Sequence, residues 1–117
     1  MVRTLIAGNW KMNGLKSSLS ETDKVVSALA DYPDTADCLI CPPSTLIVPM
    51  KDRAGDRLKV GAQSCHPEKF GAFTGDLSAE QLRDAGASYV IVEPDIAADQ
   101  AVHRLARRQI AEDIFNR

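Results

Sequence analysis

The sequence lacks the features that would indicate a membrane, secreted or nucleic-acid-binding protein. No apolar run approaches the roughly 20 residues of a membrane-spanning helix, and the run near the first residue is too short for a signal peptide. The 14 basic and 16 acidic residues are spread along 117 positions, so no basic region favours nucleic acid or anionic lipid. We therefore expect a cytoplasmic protein with no nucleic-acid and no membrane partner.

Cysteine is also scarce, with Cys38, Cys41 and Cys65 as the three thiols of the chain. An odd number without a secretory signal favours free thiols over a disulfide framework. Cys38 and Cys41 have the spacing of half a zinc or redox site, but no second pair of ligands lies at metal spacing. Because both lie in an apolar run, we interpret them as buried strand cysteines and expect no metal site.

Glycine-rich phosphate loops are missing, since no Gly-x-Gly-x-x-Gly follows the first apolar run and no Gly-Lys-Ser/Thr occurs. What is present is a series of short apolar runs, at residues 4–7, 38–41, 58–62 and 88–92. Continuous runs of this kind are typical of strands covered on both faces of a parallel sheet. Segments with helical character separate them, so the order predicts right-handed parallel β/α units, as in a doubly wound sheet or a (β/α)₈ barrel.

Polar residues mark the ends of the predicted helices. Ser17 and Ser20 offer N-cap oxygens for a helix over residues 17–30, and a second helix is predicted over 44–54. Ser78 followed by Gln81 is a capping-box arrangement, and Gly86 supplies the stop for the third helix.

Local sequences at the strand ends resemble those of triosephosphate isomerases, in the same order along the chain. They are residues 7–14 (AGNWKMNG), 41–43 (CPP), 60–66 (VGAQSCH), 71–80 (GAFTGDLSAE) and 84–92 (DAGASYVIV). The resemblance implies an α/β fold, a partial (β/α)₈ TIM barrel of about four parallel β/α units, because a complete barrel typically needs about 250 residues. The isomerase-like half-barrel would comprise residues 1–92.

The first of these motifs carries the candidate site. Asn9 and Lys11 lie two residues apart at the end of the first predicted strand, so both side chains can project to the barrel face where active sites form. Lys11 would place a positive charge beside a phosphate or a developing enediolate oxygen, and Asn9 would add a directed hydrogen bond. The resemblance implies that Asn9 and Lys11 bind substrate and that Lys11 is catalytic. Without the surrounding motif, a solvated surface lysine would be the preferred interpretation.

The segment over residues 65–77 is about a dozen residues long, which is long for a connection between a strand and a helix. In the family this loop inserts into the neighbouring subunit, so the resemblance implies a dimer interface at Thr74, Phe73 and Gly75. A flexible surface loop is the alternative. We expect His66 to hold the loop, since adjacent residues on an extended segment point apart, which disfavours a catalytic pair of Cys65 and His66.

The resemblance stops after Val92. The family continues with Gly-His-Ser-Glu-Arg-Arg, which carries the electrophilic histidine, whereas this chain reads Glu93-Pro94-Asp95. This family is itself the standard example of a glutamate base paired with a neutral histidine, and neither group has a matching position here. The resemblance implies an aldose-ketose isomerase of glycolysis and gluconeogenesis, without metal or organic cofactor, that converts dihydroxyacetone phosphate to glyceraldehyde 3-phosphate. With both groups lacking, the chain is expected to be truncated and inactive alone, and whether it is an enzyme stays open.

Two other functions remain open, a non-catalytic half-barrel interaction module and a gene remnant. The open edges of a half-barrel favour a homodimer or association with a complementary barrel half. Residues 93–117 form a divergent tail that we assign to the same domain and predict as an amphipathic helix. Its apolar arc comprises Ala98, Val102, Leu105, Ala106, Ile110 and Ile114.

Overall fold

The computed structural model describes residues 3–91, in which strands and helices alternate. The strands are β1 (Thr4–Asn9), β2 (Ala36–Cys41), β3 (Leu58–Ala62) and β4 (Tyr89–Val90). The helices are α1 (Leu19–Ala30), α2 (Ile47–Ala54) and α3 (Ala79–Ala85), and short 3₁₀ turns at Lys16–Ser18 and Ser44–Leu46 precede the first two. All four predicted strands are confirmed. The tail helix predicted over residues 93–117 lies outside the described residues.

The strands form a parallel sheet in the order β1-β2-β3-β4. Asn9 pairs with Cys41 at the end of the first two strands, and Ala62 pairs with Val90 at the end of the last two. Consecutive neighbours joined by helices are the β/α units that the sequence predicts. The carboxyl ends of the strands therefore meet at one edge, where the segments after β1 and β3 approach each other.

The main core lies between the helices and one face of the sheet. Its most buried members are Ile47, Met50, Ala54, Leu58, Val60 and Ala62. A second, smaller cluster consists of Leu39, Cys41 and Tyr89. Because neighbouring residues of a strand point to opposite faces, and Ile40 belongs to the main core, this second cluster lies on the other face of the sheet. Within residues 3–91, no helix is both long and apolar enough to cross a bilayer.

The prediction that every strand is covered on both faces is wrong for β1. All six of its residues are exposed, with Ile6 at 60% and Leu5 at 40%. Within the described part of the chain β1 pairs with β2 alone. A continuous apolar run shows what a strand is able to bury, but burial itself depends on covering elements, and residues 3–91 do not supply them for β1.

The helix caps were predicted correctly for α3 and wrongly for α1. The Ser78 Oγ accepts a hydrogen bond from the Gln81 N–H at 3.1 Å, and the Gln81 Oε1 accepts from the Ser78 N–H at 3.0 Å. Ahead of α1, the Ser18 Oγ accepts from the Leu15 N–H, whereas the Ser20 hydroxyl donates to the Ser17 carbonyl. The Ser18 hydroxyl thus closes the 3₁₀ turn, and the N-terminus of α1 has no side-chain cap, so Ser17 and Ser20 do not cap the helix.

Candidate functional site

The candidate site lies where β1, β2 and β3 end. The Trp10 N–H, directly after β1, donates to the carbonyl of Cys41 at 3.0 Å. The Gln63 Nε2, directly after β3, donates to the same carbonyl at 3.0 Å and to the carbonyl of Lys11 at 2.8 Å. One side-chain amide therefore connects the ends of all three strands.

Asn9 and Lys11 are brought together by a hydrogen bond that the sequence did not predict. The Lys11 N–H donates to the Asn9 Oδ1 at 2.8 Å. Lys11 has a φ of +54°, the one positive φ outside glycine in residues 3–91, so strand periodicity does not direct its side chain. This bond joins the Asn9 side chain to the Lys11 backbone in a tight turn, and the projection of both side chains to the barrel face stays a prediction.

Within residues 3–91, Lys11 forms no ion pair with a carboxylate. The ion pairs within residues 3–91 join other residues, and the Lys11 side chain is exposed. Asn9 uses its oxygen to accept from Lys11, which leaves the amide N–H groups as the donors of its side chain. An ammonium group and amide donors carried by two residues at one strand end are suited to an anionic, oxygen-rich ligand.

The turn that carries Lys11 is closed by further contacts. The Asn13 Nδ2 donates to the Trp10 carbonyl at 2.9 Å. Gly14 has a φ of +113°, and a Cβ there would lie 2.9 Å from the Trp10 ring and 3.1 Å from a Leu46 methyl. The turn is thus packed against the segment that follows β2, which holds Lys11 at the edge of the sheet.

The loop over residues 65–77 is held at its base and leaves its tip exposed. The His66 N–H donates to the Leu77 carbonyl at 2.7 Å, and the His66 Nδ1 accepts from the Glu68 N–H at 3.1 Å. The His66 ring also lies 4.0 Å from the Phe73 ring. These contacts agree with the predicted loop-holding role of His66. Phe73, Thr74 and Gly75 are exposed at the tip, and their assignment to a dimer interface stays a prediction.

Cys41 and Cys65 are not activated as nucleophiles. All three thiols are free, with Cys41 buried on β2 and Cys38 half-buried on the same strand. Burial raises the pKa of the Cys41 thiol to about 11 and also raises the pKa of Cys65, which keeps both thiols protonated near neutral pH. Within residues 3–91, no group of three or more His, Cys, Asp and Glu side chains is placed to hold a metal ion.

Proton-transfer groups are absent from the network just described. In residues 3–91, none of the hydrogen bonds made by Asn9, Lys11 and Gln63 involves an imidazole or a carboxylate. His66 belongs to the loop after β3, and its ring contacts that loop. The hydrogen bonds that join Asn9, Lys11 and Gln63 in the described part of the chain are thus made by amides and backbone groups.

The assignment of Asn9 and Lys11 to a site stays a prediction, and the sequence did not predict the contact that Gln63 makes with Lys11. The acceptors of the Gln63 amide are backbone carbonyls 52 and 22 residues away, and backbone atoms leave no residue-type signal in the sequence. The register of β1 with β2 and β3 was the available clue, since it places Gly61 at the level of Cys41 and Asn9, and therefore Gln63 at the level of Lys11.

The chain is similar to triosephosphate isomerases over most of its length. A family model described as "TIM: Triosephosphate isomerase" matches residues 4–93. A triosephosphate isomerase of Bradyrhizobium diazoefficiens is 54% identical over 92 residues, which cover 78% of this chain and 37% of the relative. One from Ruegeria is 55% identical over 92 residues, covering 79% and 36%. The chain thus spans little more than a third of the length of these relatives.

A solved structure extends the comparison to the fold. The triosephosphate isomerase crystal structure from Bartonella henselae matches with a TM-score of 0.74 and 33% identity, covering 98% of this chain and 48% of that one. The parallel sheet described above therefore corresponds to about half of a TIM barrel, as the sequence predicts.

Proposed function

Because the chain belongs to the triosephosphate isomerase family, we propose that Asn9 and Lys11 form the ligand-holding part of a triosephosphate isomerase site. The ligands are dihydroxyacetone phosphate and glyceraldehyde 3-phosphate, which interconvert through an enediolate in glycolysis and gluconeogenesis. We assign the protein to the cytoplasm, where these pathways run. The site lies on a proposed half-barrel of residues 1–92, and residues 93–117 are assigned to the same domain.

The observation that carries the proposal is the placement of Lys11. Its ammonium is exposed, has no carboxylate partner within residues 3–91, and follows a strand end at the carboxyl edge of the sheet. In barrels of this kind, side chains at that edge form the active site. A point positive charge there favours the phosphate group of the ligand and the negative charge that develops on an enediolate oxygen.

We further propose that the 117-residue chain holds the ligand without isomerising it. Isomerisation needs a group within hydrogen-bond reach of the proton that moves, about 2.6–3.2 Å between heavy atoms. The sequence after Val92 has Glu93 and Pro94 where the family has its glycine and electrophilic histidine. Lys11 and Asn9 supply charge and hydrogen bonds, and neither replaces a glutamate base.

The proposed partner is a second copy of this chain or a complementary barrel half. Thr74, Phe73 and Gly75 would contribute an interface through the loop tip, where all three are exposed. The exposed side chains of Leu5 and Ile6 on β1 support association along the sheet, since an open strand edge with apolar neighbours promotes pairing.

The same exposure of β1 favours a second candidate function, a non-catalytic interaction module. Sedimentation of the chain with and without a full-length family member distinguishes the two. A module is expected to form a mixed species with the partner even when dihydroxyacetone phosphate does not bind. A chain that binds the ligand and ignores the partner contradicts the module.

Replacement of Lys11 tests the ligand-holding role. We expect Lys11→Met to weaken binding of dihydroxyacetone phosphate at least about tenfold in titration calorimetry, because hydrogen bonds to a charged group contribute about 1.5–3 kcal/mol. Lys16→Met is the matched control, since it removes an exposed positive charge five residues away and is expected to leave the affinity unchanged. Equal affinities for the wild-type chain and Lys11→Met contradict the proposal.

A further inference from the structure

We infer that Gln63 is a positioning residue that holds the backbone of Lys11 in its left-handed conformation and thereby sets the location of the Lys11 ammonium. The consequence for ligand binding rests on the proposed function, whereas the backbone effect does not. Lys11 has a φ of +54°, a conformation that a residue with a Cβ rarely adopts. Such a conformation persists where the surrounding structure determines it.

Both polar groups of the Lys11 backbone are held by side chains. The Asn9 Oδ1 accepts from the Lys11 N–H at 2.8 Å, and the Gln63 Nε2 donates to the Lys11 carbonyl at 2.8 Å. Asn9 is two residues away and moves with the turn. Gln63 directly follows β3 and is half-buried, so it is the contact that fixes Lys11 relative to the sheet.

The second acceptor of Gln63 explains why an amide is needed at this position. Its Nε2 also donates to the Cys41 carbonyl at 3.0 Å, which itself accepts from the Trp10 N–H. A primary amide nitrogen carries two N–H groups and therefore serves two carbonyls at once. An ionised carboxylate of the same shape has only acceptors and would repel both carbonyl oxygens, and an aliphatic side chain would leave them without this donor.

Loss of this contact is expected to redirect Lys11. Without Gln63 the backbone at Lys11 can return to negative φ, which the Cβ favours. A change of φ rotates the Cα–Cβ direction, so the ammonium is expected to leave its present position at the edge of the sheet. Gln63 therefore acts on the ligand through Lys11 and needs no contact of its own.

The experiment compares wild type, Q63L, Q63E and the neighbouring exposed-site variant S64A in the full chain. The intraresidue amide-to-Hα NOE of Lys11 reports its φ directly, because this distance is shortest at positive φ. We expect a strong NOE in wild type and S64A and a weak one in Q63L and in Q63E near neutral pH. Affinity for dihydroxyacetone phosphate is expected to fall about tenfold in Q63L, the loss of one charge-assisted contact.

The pH dependence of the Lys11 NOE in Q63E distinguishes a positioning role of residue 63 from a purely structural one. Protonation turns the introduced carboxyl into a donor, so the strong NOE of Lys11 should return as the pH falls through the pKa of that group. This titration also decides the matter if Q63L fails to fold. A Lys11 NOE that is weak in wild type, unchanged by Q63L, or insensitive to pH in Q63E overturns the inference. If the NOE behaves as expected while wild type binds no dihydroxyacetone phosphate, the positioning role stands and the proposed function fails.

Discussion

A chimaera of residues 1–92 with the remaining segment of the Bradyrhizobium diazoefficiens relative is expected to isomerise triose phosphates at least about 10⁴-fold faster than the 117-residue chain. The added segment supplies the family's histidine and glutamate, and general acid-base catalysis contributes about 10²–10⁴-fold for each positioned group. The junction follows the last residue of the family motif ending at Val92. A coupled assay of dihydroxyacetone phosphate formation measures both rates.

The chimaera also reports whether the residues of this chain are functional in the completed barrel. Lys11→Met in the chimaera is expected to lower kcat/KM by about 10²-fold or more, as for loss of one group that stabilises an oxyanion. Lys16→Met again serves as the control. A folded chimaera without activity, or a 117-residue chain that matches the relative, contradicts the account.

Met50→Ala is expected to lower the free energy of unfolding by about 3 kcal/mol. Met50 lies on α2 and is 0% exposed within the main core, so truncation removes buried apolar atoms and leaves a cavity. With a typical domain stability of about 5–15 kcal/mol, the loss is a large fraction of the total. Urea unfolding followed by circular dichroism measures it.

Val48→Ala is the matched control on the same helix. Val48 is 52% exposed, and its truncation is expected to change the free energy of unfolding by about 0.5 kcal/mol or less. Equal effects of the two substitutions would show that α2 does not pack on the sheet as described.

Features that depend on neighbouring residues were predictable from the sequence. The Ser78 cap is satisfied within four residues, and the apolar runs that became β2 and β3 carry their own signal. Burial of β1 was predicted wrongly, because it depends on elements beyond its own run. The N-terminus of α1 was also predicted wrongly, since a 3₁₀ turn occupies Lys16–Ser18 and the helix begins at Leu19 without a side-chain cap.

In the candidate site, too, features that depend on neighbouring residues were predictable, and those that depend on distant residues were not. Asn9 and Lys11 were identified from their position after a strand and from the family resemblance, and their roles remain proposals. The positive φ of Lys11 had no signal in the sequence, because left-handed backbone is expected at glycine and the contact that holds it comes from Gln63, 52 residues later. A strained position fixed by a distant amide emerges only when the sheet is assembled.

The most direct measurement of the central claim is one NMR titration of the 117-residue chain with dihydroxyacetone phosphate in a mixture of H₂O and D₂O. The account predicts saturable shifts of the Asn9 and Lys11 amides, while the C–H signals of the ligand keep their intensity because no proton is removed. Deuterium incorporated into the ligand by wild type, and not by Lys11→Met, would contradict it.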